Sequence, residues 1–281
     1  MISEAELRRR AGEWSVDPMI VDLDYVLGCF LSQLYQDQVA TGLLFKGGTC
    51  LRKCYFPDYR FSEDLDFTAE TYMSQETLQE LLSHTIQRVG DNFGIDMEIR
   101  QPIIEVVSDD YGIESYQVRL YYRGPLRWRG DPRAIRLDIS RGEYVGLPAA
   151  ERELIHPYGD QNMVKGEVLF YDLAEMLAEK LRALGGQRRF AISRDLYDLY
   201  RIITSGLTSL QKVKPFISNM FAVKQMKMTN FDPDLFIDRQ DEFKKDWEQR
   251  LTHLLPVSDS TSFDLAWGTS LEAVQWLSDL K

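Results

Sequence analysis

The chain has 281 residues and a formal net charge of −11 at pH 7, which excludes a protein that coats nucleic acid through general positive charge. Its 44% hydrophobic and 12% aromatic content is sufficient for a buried core. Because residues 1–6 lack a signal-peptide pattern and no apolar run approaches the roughly 18–20 residues of a membrane span, we expect a cytoplasmic protein without membrane contact.

Two helices are predicted before the first motif. Residues 4–13 have a short polar helix signal, and Asp22 to Ala40 has apolar side chains at helical spacing. A short apolar run then leads into Lys46-Gly47-Gly48-Thr49. We expect Thr49 to begin a helix that Pro57 terminates.

Residues 63–68 predict a strand that carries two acids on one face. In Asp64-Leu65-Asp66-Phe67, alternate side chains point to opposite faces, so Leu65 and Phe67 can enter a core. Two carboxylates held side by side are costly unless a cation lies between them. Mg²⁺, or Mn²⁺, prefers such oxygen ligands, usually together with substrate phosphates.

The double glycine upstream of this strand predicts a phosphate-binding turn, because Gly47 and Gly48 let backbone N–H groups approach phosphates closely. Together with the two acids it indicates phosphoryl or nucleotidyl transfer. If the strand starts early, Arg60 and Ser62 share the face of Asp64 and would also meet the phosphates. Alternatively, the glycines form an ordinary loop and Arg60 pairs with Glu63 or Asp58.

The following elements predict an α+β domain and then a helical domain. A helix is predicted over Gln75–Val89, and strands over Ile95–Ile99, Ser115–Tyr122 and Ala134–Ser140. Residues 147–165 are loop-like, and helical patterns dominate from Val168 onward. We therefore expect a boundary near residue 160, with an α+β domain over 1–160 and a helical domain over 161–281.

Asp138 is a candidate third carboxylate. It lies on the polar side of a strand whose other side carries Ile135, Leu137 and Ile139, so it needs a cation or a hydrogen-bond partner. It would complete a two-metal site or accept the proton of an incoming hydroxyl. The alternative is an ion pair with Arg136 or Arg119.

Three charged residues of the later helices are also candidates. Lys180 falls on an apolar helical stripe, where a lysine either extends to solvent or reaches a triphosphate. Asp195 and Asp198 follow Ser193, a candidate N-cap. Capping and pairing with Arg194 or Arg201 explain both acids structurally.

Arginine is concentrated in two segments, which favours a defined polyanionic ligand. The first comprises Arg119, Arg123, Arg127, Arg129, Arg133, Arg136 and Arg141, and the second Arg182, Arg188, Arg189, Arg194 and Arg201.

These motifs together resemble the AbiEii/AbiGii nucleotidyltransferase toxin family of bacterial toxin–antitoxin and phage-defence systems. The resemblance rests on Lys46 to Thr49, Arg60 to Phe67, Glu175 to Ala183 and Arg194 to Leu199. It covers roughly residues 20–205, and the stretch after Leu207 carries no matching motif.

The resemblance implies a polymerase-β-like nucleotidyltransferase core, with a mixed sheet flanked by helices, and a helical domain that completes the active site. Gly47, Gly48 and Thr49 would hold the triphosphate of an NTP, and Asp64 and Asp66 would hold Mg²⁺. Lys180 and Asp195 match later catalytic motifs; Asp198 is a weaker correspondence. The implied acceptor is the tRNA 3′ end, which the arginine segments fit, and the implied partner is a separately encoded antitoxin.

Two rival functions remain at this point. One is nucleotidylation of a protein side chain, such as AMPylation. The other is a non-catalytic module that binds a nucleotide or an antitoxin. The presence of Asp64, Asp66 and Lys180 argues against a scaffold without activity.

Overall fold

The computed structural model describes residues 1–108, 112, 114–188 and 190–280. The chain folds into two compact units, the first comprising residues 1–142, 149–170 and 254–259, and the second residues 143–148, 171–253 and 260–281. The predicted α+β and helical characters are therefore both present. The units are interleaved along the chain, so the domain limits at residue 160 stay a prediction.

The first unit contains a mixed sheet whose strands lie in the order β3-β4-β5-β2-β1-β7-β6. Pairs β1–β7 and β2–β5 are parallel, and the other neighbours are antiparallel. The strands are β1 (Leu43–Lys46), β2 (Asp64–Ala69), β3 (Ile103–Ser108), β4 (Glu114–Tyr122), β5 (Arg133–Arg141), β6 (Ala150–Glu153) and β7 (Glu167–Phe170).

Three helices of the first unit begin at a residue whose side chain accepts a backbone N–H of the first turn. Asp17 accepts the N–H of Met19 at 2.7 Å at the start of α2, and Ser74 accepts that of Thr77 at 3.2 Å at the start of α4. The helices are α1 (Glu4–Trp14), α2 (Pro18–Leu34), α3 (Gly47–Cys50) and α4 (Gln75–Phe93), with a π-helical turn at Leu51–Tyr55 and 3₁₀ turns at Gln38–Gly42 and Gln161–Met163.

The second unit is helical, and aromatic side chains form much of its core. Trp267 stacks with Phe236 and Phe263 at centroid distances of 4.6 and 5.8 Å. Its helices are α5 (Leu173–Arg182), α6 (Ser193–Thr204), α7 (Leu210–Val213), α8 (Ile217–Ala222), α9 (Pro233–Ile237), α10 (Gln240–Asp246) and α11 (Phe263–Ser278), with π-type turns at Ala183–Gln187 and Trp247–Leu251 and 3₁₀ turns at Met228–Asn230 and Thr252–Leu254. None of the helices described here combines the length and apolar character that a bilayer span requires.

Several predicted elements differ from the structure. The helix predicted over Asp22–Ala40 ends at Leu34, because Asp37 caps a separate 3₁₀ turn by accepting the N–H of Val39 at 3.1 Å. The strand predicted over Ile95–Ile99 is wrong: only Asp96 makes an isolated bridge there, with Arg123.

Strand β1 corresponds to the short apolar run that leads into the glycine motif, and strands β3, β6 and β7 were not predicted, for different reasons. Strand β3 is mostly exposed, so its sequence lacks the alternation of a half-buried strand. Strands β6 and β7 have only four residues each, within or just beside the segment predicted as a loop. Their stability depends on partners distant in sequence, which local patterns do not reveal.

A buried ion cluster fastens α2 to the segment that follows the glycine turn. The Asp24 carboxylate accepts hydrogen bonds from Arg52 Nε at 2.7 Å, Lys53 Nζ at 2.9 Å and the Tyr158 hydroxyl at 2.7 Å. All four side chains are buried. Burial opposes ionisation of Asp24, but the charges of Arg52 and Lys53 outweigh it and hold the pKa of this carboxyl well below its ordinary value.

Asp24→Ala is expected to lower the free energy of unfolding by about 3–5 kcal/mol, because it leaves two buried cations without their carboxylate. Urea denaturation followed by circular dichroism measures this loss. Asp91→Ala is the matched control, since it removes the same charge from an exposed position of α4 and should change stability by less than about 0.5 kcal/mol. Equal effects of the two substitutions would contradict the structural role of Asp24.

Candidate active site

The three predicted carboxylates lie on the same face of the sheet. Asp64 and Asp66 alternate with the buried Leu65 and Phe67 along β2. In the parallel pairing of β2 with β5, Asp66 lies directly beside Asp138. The sheet therefore brings Asp138 beside two half-buried acids that precede it by more than seventy residues in the chain.

A row of polar side chains extends across the sheet through Asp66. Lys46 on β1 is the register partner of Asp66, and Gln117 on β4 is that of Asp138. Burial raises the pKa of Asp138, and a hydrogen bond from Gln117 and the charges of Arg136 and Lys46 oppose that rise. A carboxylate with a raised pKa is a stronger base than an ordinary aspartate.

The Asp66 carboxylate lies almost against the backbone of Gly47. A Cβ atom at Gly47 would be 2.2 Å from Asp66 Oδ2, and the residue has φ +80°, a conformation that strongly favours glycine. Both the backbone conformation and the available space therefore require glycine here. The predicted turn is a helix start, because α3 begins at Gly47 with Lys46 as N-cap, two residues before the predicted start.

Arg60 and Ser62 approach the neighbouring glycine. A Cβ atom at Gly48 would be 2.4 Å from Arg60 Nη2 and 3.0 Å from Ser62 Oγ. Both residues precede β2, which begins at Asp64, so the early strand start is wrong although both side chains reach the glycine turn. The Thr49 hydroxyl donates to the backbone oxygen of Asp64 at 2.5 Å and fixes α3 against β2.

The donor set at Asp64 and Asp66 fits a hard divalent cation. Both groups are carboxylates on one face of a strand, and Mg²⁺ is usually held by one or two carboxylates together with substrate phosphates. Within the described residues, no group of three or more histidine, cysteine, aspartate or glutamate side chains is arranged to hold a metal ion. Asp138 as a third metal ligand therefore stays a prediction.

Lys180 is held between two carboxylates within the helical unit. Its Nζ lies 2.7 Å from Asp195 Oδ1 and 2.7 Å from Asp198 Oδ2. Arg188 Nε lies 2.9 Å from the other oxygen of Asp195. Asp195 and Asp198 are therefore the ion-pair partners of Lys180. Ser193 does not cap α6: Ile192 is the N-cap, and Ser193 donates through its N–H and hydroxyl to Asp246.

A cavity of about 550 Å³ lies in the same unit. Its walls combine apolar side chains such as Leu184, Met226 and Phe236 with the guanidinium groups of Arg188 and Arg239. Because Arg188 also pairs with Asp195, an occupant of this cavity would contact a direct neighbour of the Lys180 cluster.

Glu175 is buried, whereas the helical pattern around it predicts a surface position as a partner of Arg182, so that prediction is wrong. Its Oε1 accepts the N–H groups of Gly146 at 2.5 Å and Leu147 at 3.3 Å. Its Oε2 is buried without a hydrogen-bond partner among the described residues. Burial raises the pKa of Glu175 to about 7, against the effect of the two N–H groups and with a further rise from Glu179 and Asp172. Sequence reasoning missed this site, since the surrounding helical pattern looked amphipathic.

One family model matches most of the chain. Residues 29–269 match the family model described as nucleotidyl transferase AbiEii toxin, type IV TA system. This chain belongs to that family. Nucleotidyltransferase activity and membership of a type IV toxin–antitoxin system follow for this AbiEii protein.

Solved structures agree with the fold of this AbiEii protein. One is the crystal structure of JHP933 from Helicobacter pylori, with 16% identity, a TM-score of 0.57 and 94% of each chain covered. Another, a "putative nucleotidyltransferase" from H. pylori, has 15% identity and a TM-score of 0.51, over 94% of this chain and 96% of that chain. These likenesses confirm the predicted α+β nucleotidyltransferase fold with helices at its C-terminal side. No curated protein matches the chain.

Gly47→Ala is expected to lower the rate of NMP transfer by about 100-fold, because the new methyl group displaces the Asp66 carboxylate. Steady-state kinetics of NMP transfer measures the effect. Gly94→Ala is the control, since Gly94 has φ +66° but nothing within 4 Å of its Cβ position. It should be destabilised by about 1–2 kcal/mol from backbone strain and keep its activity. Full activity of Gly47→Ala would contradict the tight packing.

Glu175 makes stability depend on pH, with a definite sign. Its folded pKa is raised above its unfolded value of about 4.3, so its contribution is fully present below about pH 4 and is lost as the pH rises through about 7. Relative to Glu175→Gln, wild-type stability should fall by up to about 3 kcal/mol between pH 4 and 8. Denaturant unfolding across this range tests the difference. Glu272→Gln, at an exposed position of α11, should reproduce the wild-type pH dependence; parallel curves for all three proteins would refute the role of Glu175.

Proposed function

We propose that this AbiEii protein transfers an NMP from an NTP to the 3′-terminal hydroxyl of tRNA, with Mg²⁺ as the preferred metal and Mn²⁺ as a substitute. The observation that carries the proposal is the register of Asp66 beside Asp138, with Gly47 against the Asp66 carboxylate. One side of this arrangement suits a nucleotide phosphate and its metal. The other offers a base for the acceptor.

The reaction exchanges one phosphorus–oxygen bond for another. The acceptor oxygen bonds to the α-phosphorus, the bond from that phosphorus to the bridging oxygen breaks, and pyrophosphate leaves with the electron pair. Asp138 accepts the hydroxyl proton. Its raised pKa supports this role.

Asp64 and Asp66 would hold the divalent cation, which supplies positive charge to the triphosphate and the leaving pyrophosphate. The buried Lys46 lies beside Asp66 and moderates the repulsion between the acids. Backbone N–H groups at Gly47, Gly48 and Thr49 would bind phosphate oxygens. Arg60 and Ser62, which crowd Gly48, would bind the same phosphates or orient the turn.

Lys180 would contribute positive charge to the reaction, and Asp195 would orient it. The two 2.7 Å contacts of Lys180 Nζ with Asp195 and Asp198 support this assignment, because two carboxylates hold the ammonium group in one position. The family motifs around these residues are its second support.

The physiological proposal is growth inhibition through tRNA that can no longer serve translation, with a separately encoded antitoxin as the neutralising partner. Type IV membership supports the toxin and the antitoxin. A role in phage defence would follow from toxin activity that infection releases.

Labelled NTPs test the acceptor directly. Purified protein, total tRNA and each α-labelled NTP are incubated with Mg²⁺, and we expect label on tRNA from the wild type. Asp66→Asn and Asp138→Asn should each reduce transfer by about 100-fold or more. Asp91→Asn removes a carboxylate from an exposed position and should leave transfer unchanged.

The same assay separates the rivals. Label on a protein instead of tRNA would replace the RNA acceptor by a protein acceptor. Growth arrest that persists on expression of Asp66→Asn would contradict the metal site as the source of toxicity.

A further inference from the structure

Two arginines lie directly opposite each other beside the carboxylates. In the antiparallel pairing of β4 with β5, Arg119 is the register partner of Arg136, and Arg136 is in turn the register partner of Asp64 on β2. Both arginines are exposed and share the face that carries Asp64, Asp66 and Asp138. Asp64, Arg136 and Arg119 therefore lie in one row across three neighbouring strands, with the two positive charges beside the carboxylate.

This arginine pair forms no close ion pair among the residues that the structure describes. Neither guanidinium is joined by a salt bridge or hydrogen bond to a described side chain, although the protein carries 44 aspartate and glutamate residues. Like charges directly opposite each other on neighbouring strands repel. An anionic ligand that lies across both guanidinium groups would remove that repulsion.

The arginines of this segment differ in whether their side chains contact other groups of the protein or are exposed to solvent. Arg133 donates to the backbone oxygen of Met19, and Arg141 pairs with Glu114 at 2.7 Å, so both have internal roles. Exposed positions remain at Arg119, Arg123, Arg127, Arg129 and Arg136. Two arginines of the first segment, Arg133 and Arg141, therefore contact other groups of the protein, and the other five are exposed to solvent.

An exposed aromatic side chain lies next to two of these exposed arginines in the sequence. Trp128, in the loop between β4 and β5, is 49% exposed and stands between the exposed Arg127 and Arg129. Guanidinium groups match phosphates in planar, bidentate geometry, and an exposed indole offers a stacking surface for a base. This combination fits a nucleic-acid strand better than an isolated phosphate or an acidic peptide.

In the second arginine segment, three of the arginines that the structure describes contact other groups of the protein. Arg182 is buried near Glu143, Arg188 pairs with Asp195 at 2.9 Å, and Arg201 donates to the Tyr197 hydroxyl at 2.7 Å. Arg189 lies outside the described residues. The prediction that both segments bind RNA is therefore narrowed to the first one.

We propose that Arg119 and Arg136, together with the loop that carries Arg127, Trp128 and Arg129, bind the phosphodiester backbone of the acceptor RNA. This inference rests on the proposed function. Arg136 precedes Asp138 by two residues on β5, a spacing of about 7 Å along a strand. A phosphate bound at Arg136 would thus lie about one nucleotide from a hydroxyl that donates its proton to Asp138.

The test compares RNA binding with nucleotide use. The double variant Arg119→Gln/Arg136→Gln and the wild type are titrated into labelled tRNA without NTP, in a series of salt concentrations. The dissociation constant of the variant should rise about tenfold or more. The slope of log affinity against log salt should fall by about 1.4, or about 0.7 for each lost phosphate contact. In transfer assays KM for tRNA should rise while KM for NTP stays the same.

A matched control removes the same charge elsewhere. Arg8→Gln/Arg9→Gln changes two exposed arginines of α1 that pair with Glu4 and Glu13, and it should bind tRNA like the wild type. Trp128→Ala should weaken binding without changing the salt slope. Equal losses in the two double variants would overturn the inference, because they would reflect net charge alone. So would unchanged tRNA binding by Arg119→Gln/Arg136→Gln.

The outcomes also separate this surface from the proposed function. Transfer to tRNA that both double variants perform with the wild-type KM would refute the surface and leave the function standing. Binding of tRNA that depends on Arg119 and Arg136, without any transfer of label, would refute the function and support the surface. Unchanged thermal melting of Arg119→Gln/Arg136→Gln shows that lost binding is not lost folding.

Discussion

The glycine turn depends on a buried charge cluster that contains none of the proposed catalytic groups. Asp24 is surrounded by Arg52, Lys53 and the Tyr158 hydroxyl, and these contacts fix the π-helical turn that continues α3. Burying three charges is costly, and only dense pairing and hydrogen bonding offset that cost. Since α3 begins at Gly47, a shift of this turn would move the backbone that packs against Asp66.

Gly47 is constrained both by packing and by electrostatics, because its backbone lies against the Asp66 carboxylate. Asp66 is a proposed ligand of the cation, and its carboxylate occupies the space that any side chain at Gly47 would need. Glycine satisfies both requirements because it leaves room for the carboxylate and keeps N–H groups accessible to an anion. Lys46, directly before it, is the register partner of Asp66 on the neighbouring strand. The order Lys-Gly-Gly-Thr is thus explained by the contacts of each position.

Sequence patterns predict the parts of this site that depend on neighbouring residues, and they miss the parts that depend on contacts between distant segments. The alternation in Asp64-Leu65-Asp66-Phe67 is local, so it predicts β2 and its acidic face, and the strand of Asp138 follows from the same pattern. The register of Asp66 beside Asp138 is not local, and neither is the pairing of β6 with β7. Glu175 was misplaced because its partners, Gly146 and Leu147, lie in a distant loop. Side-chain burial by a remote loop leaves no periodic signal in a single sequence.

One sheet face carries both signs of charge in adjacent rows, which under the proposed function would let an acidic protein bind both a triphosphate and an RNA backbone. Under the proposed function, the row of Lys46, Asp66 and Asp138 would meet a triphosphate together with a cation, and Arg136 and Arg119, in the row of Asp64, would meet a phosphodiester directly. At physiological ionic strength charges are screened beyond about 8 Å. The net charge of −11 therefore matters less to a bound strand than the side chains it touches. Separation of the rows by about 7 Å along the strands would keep the acids close enough to act on a nucleotide whose backbone the arginines bind, as we propose.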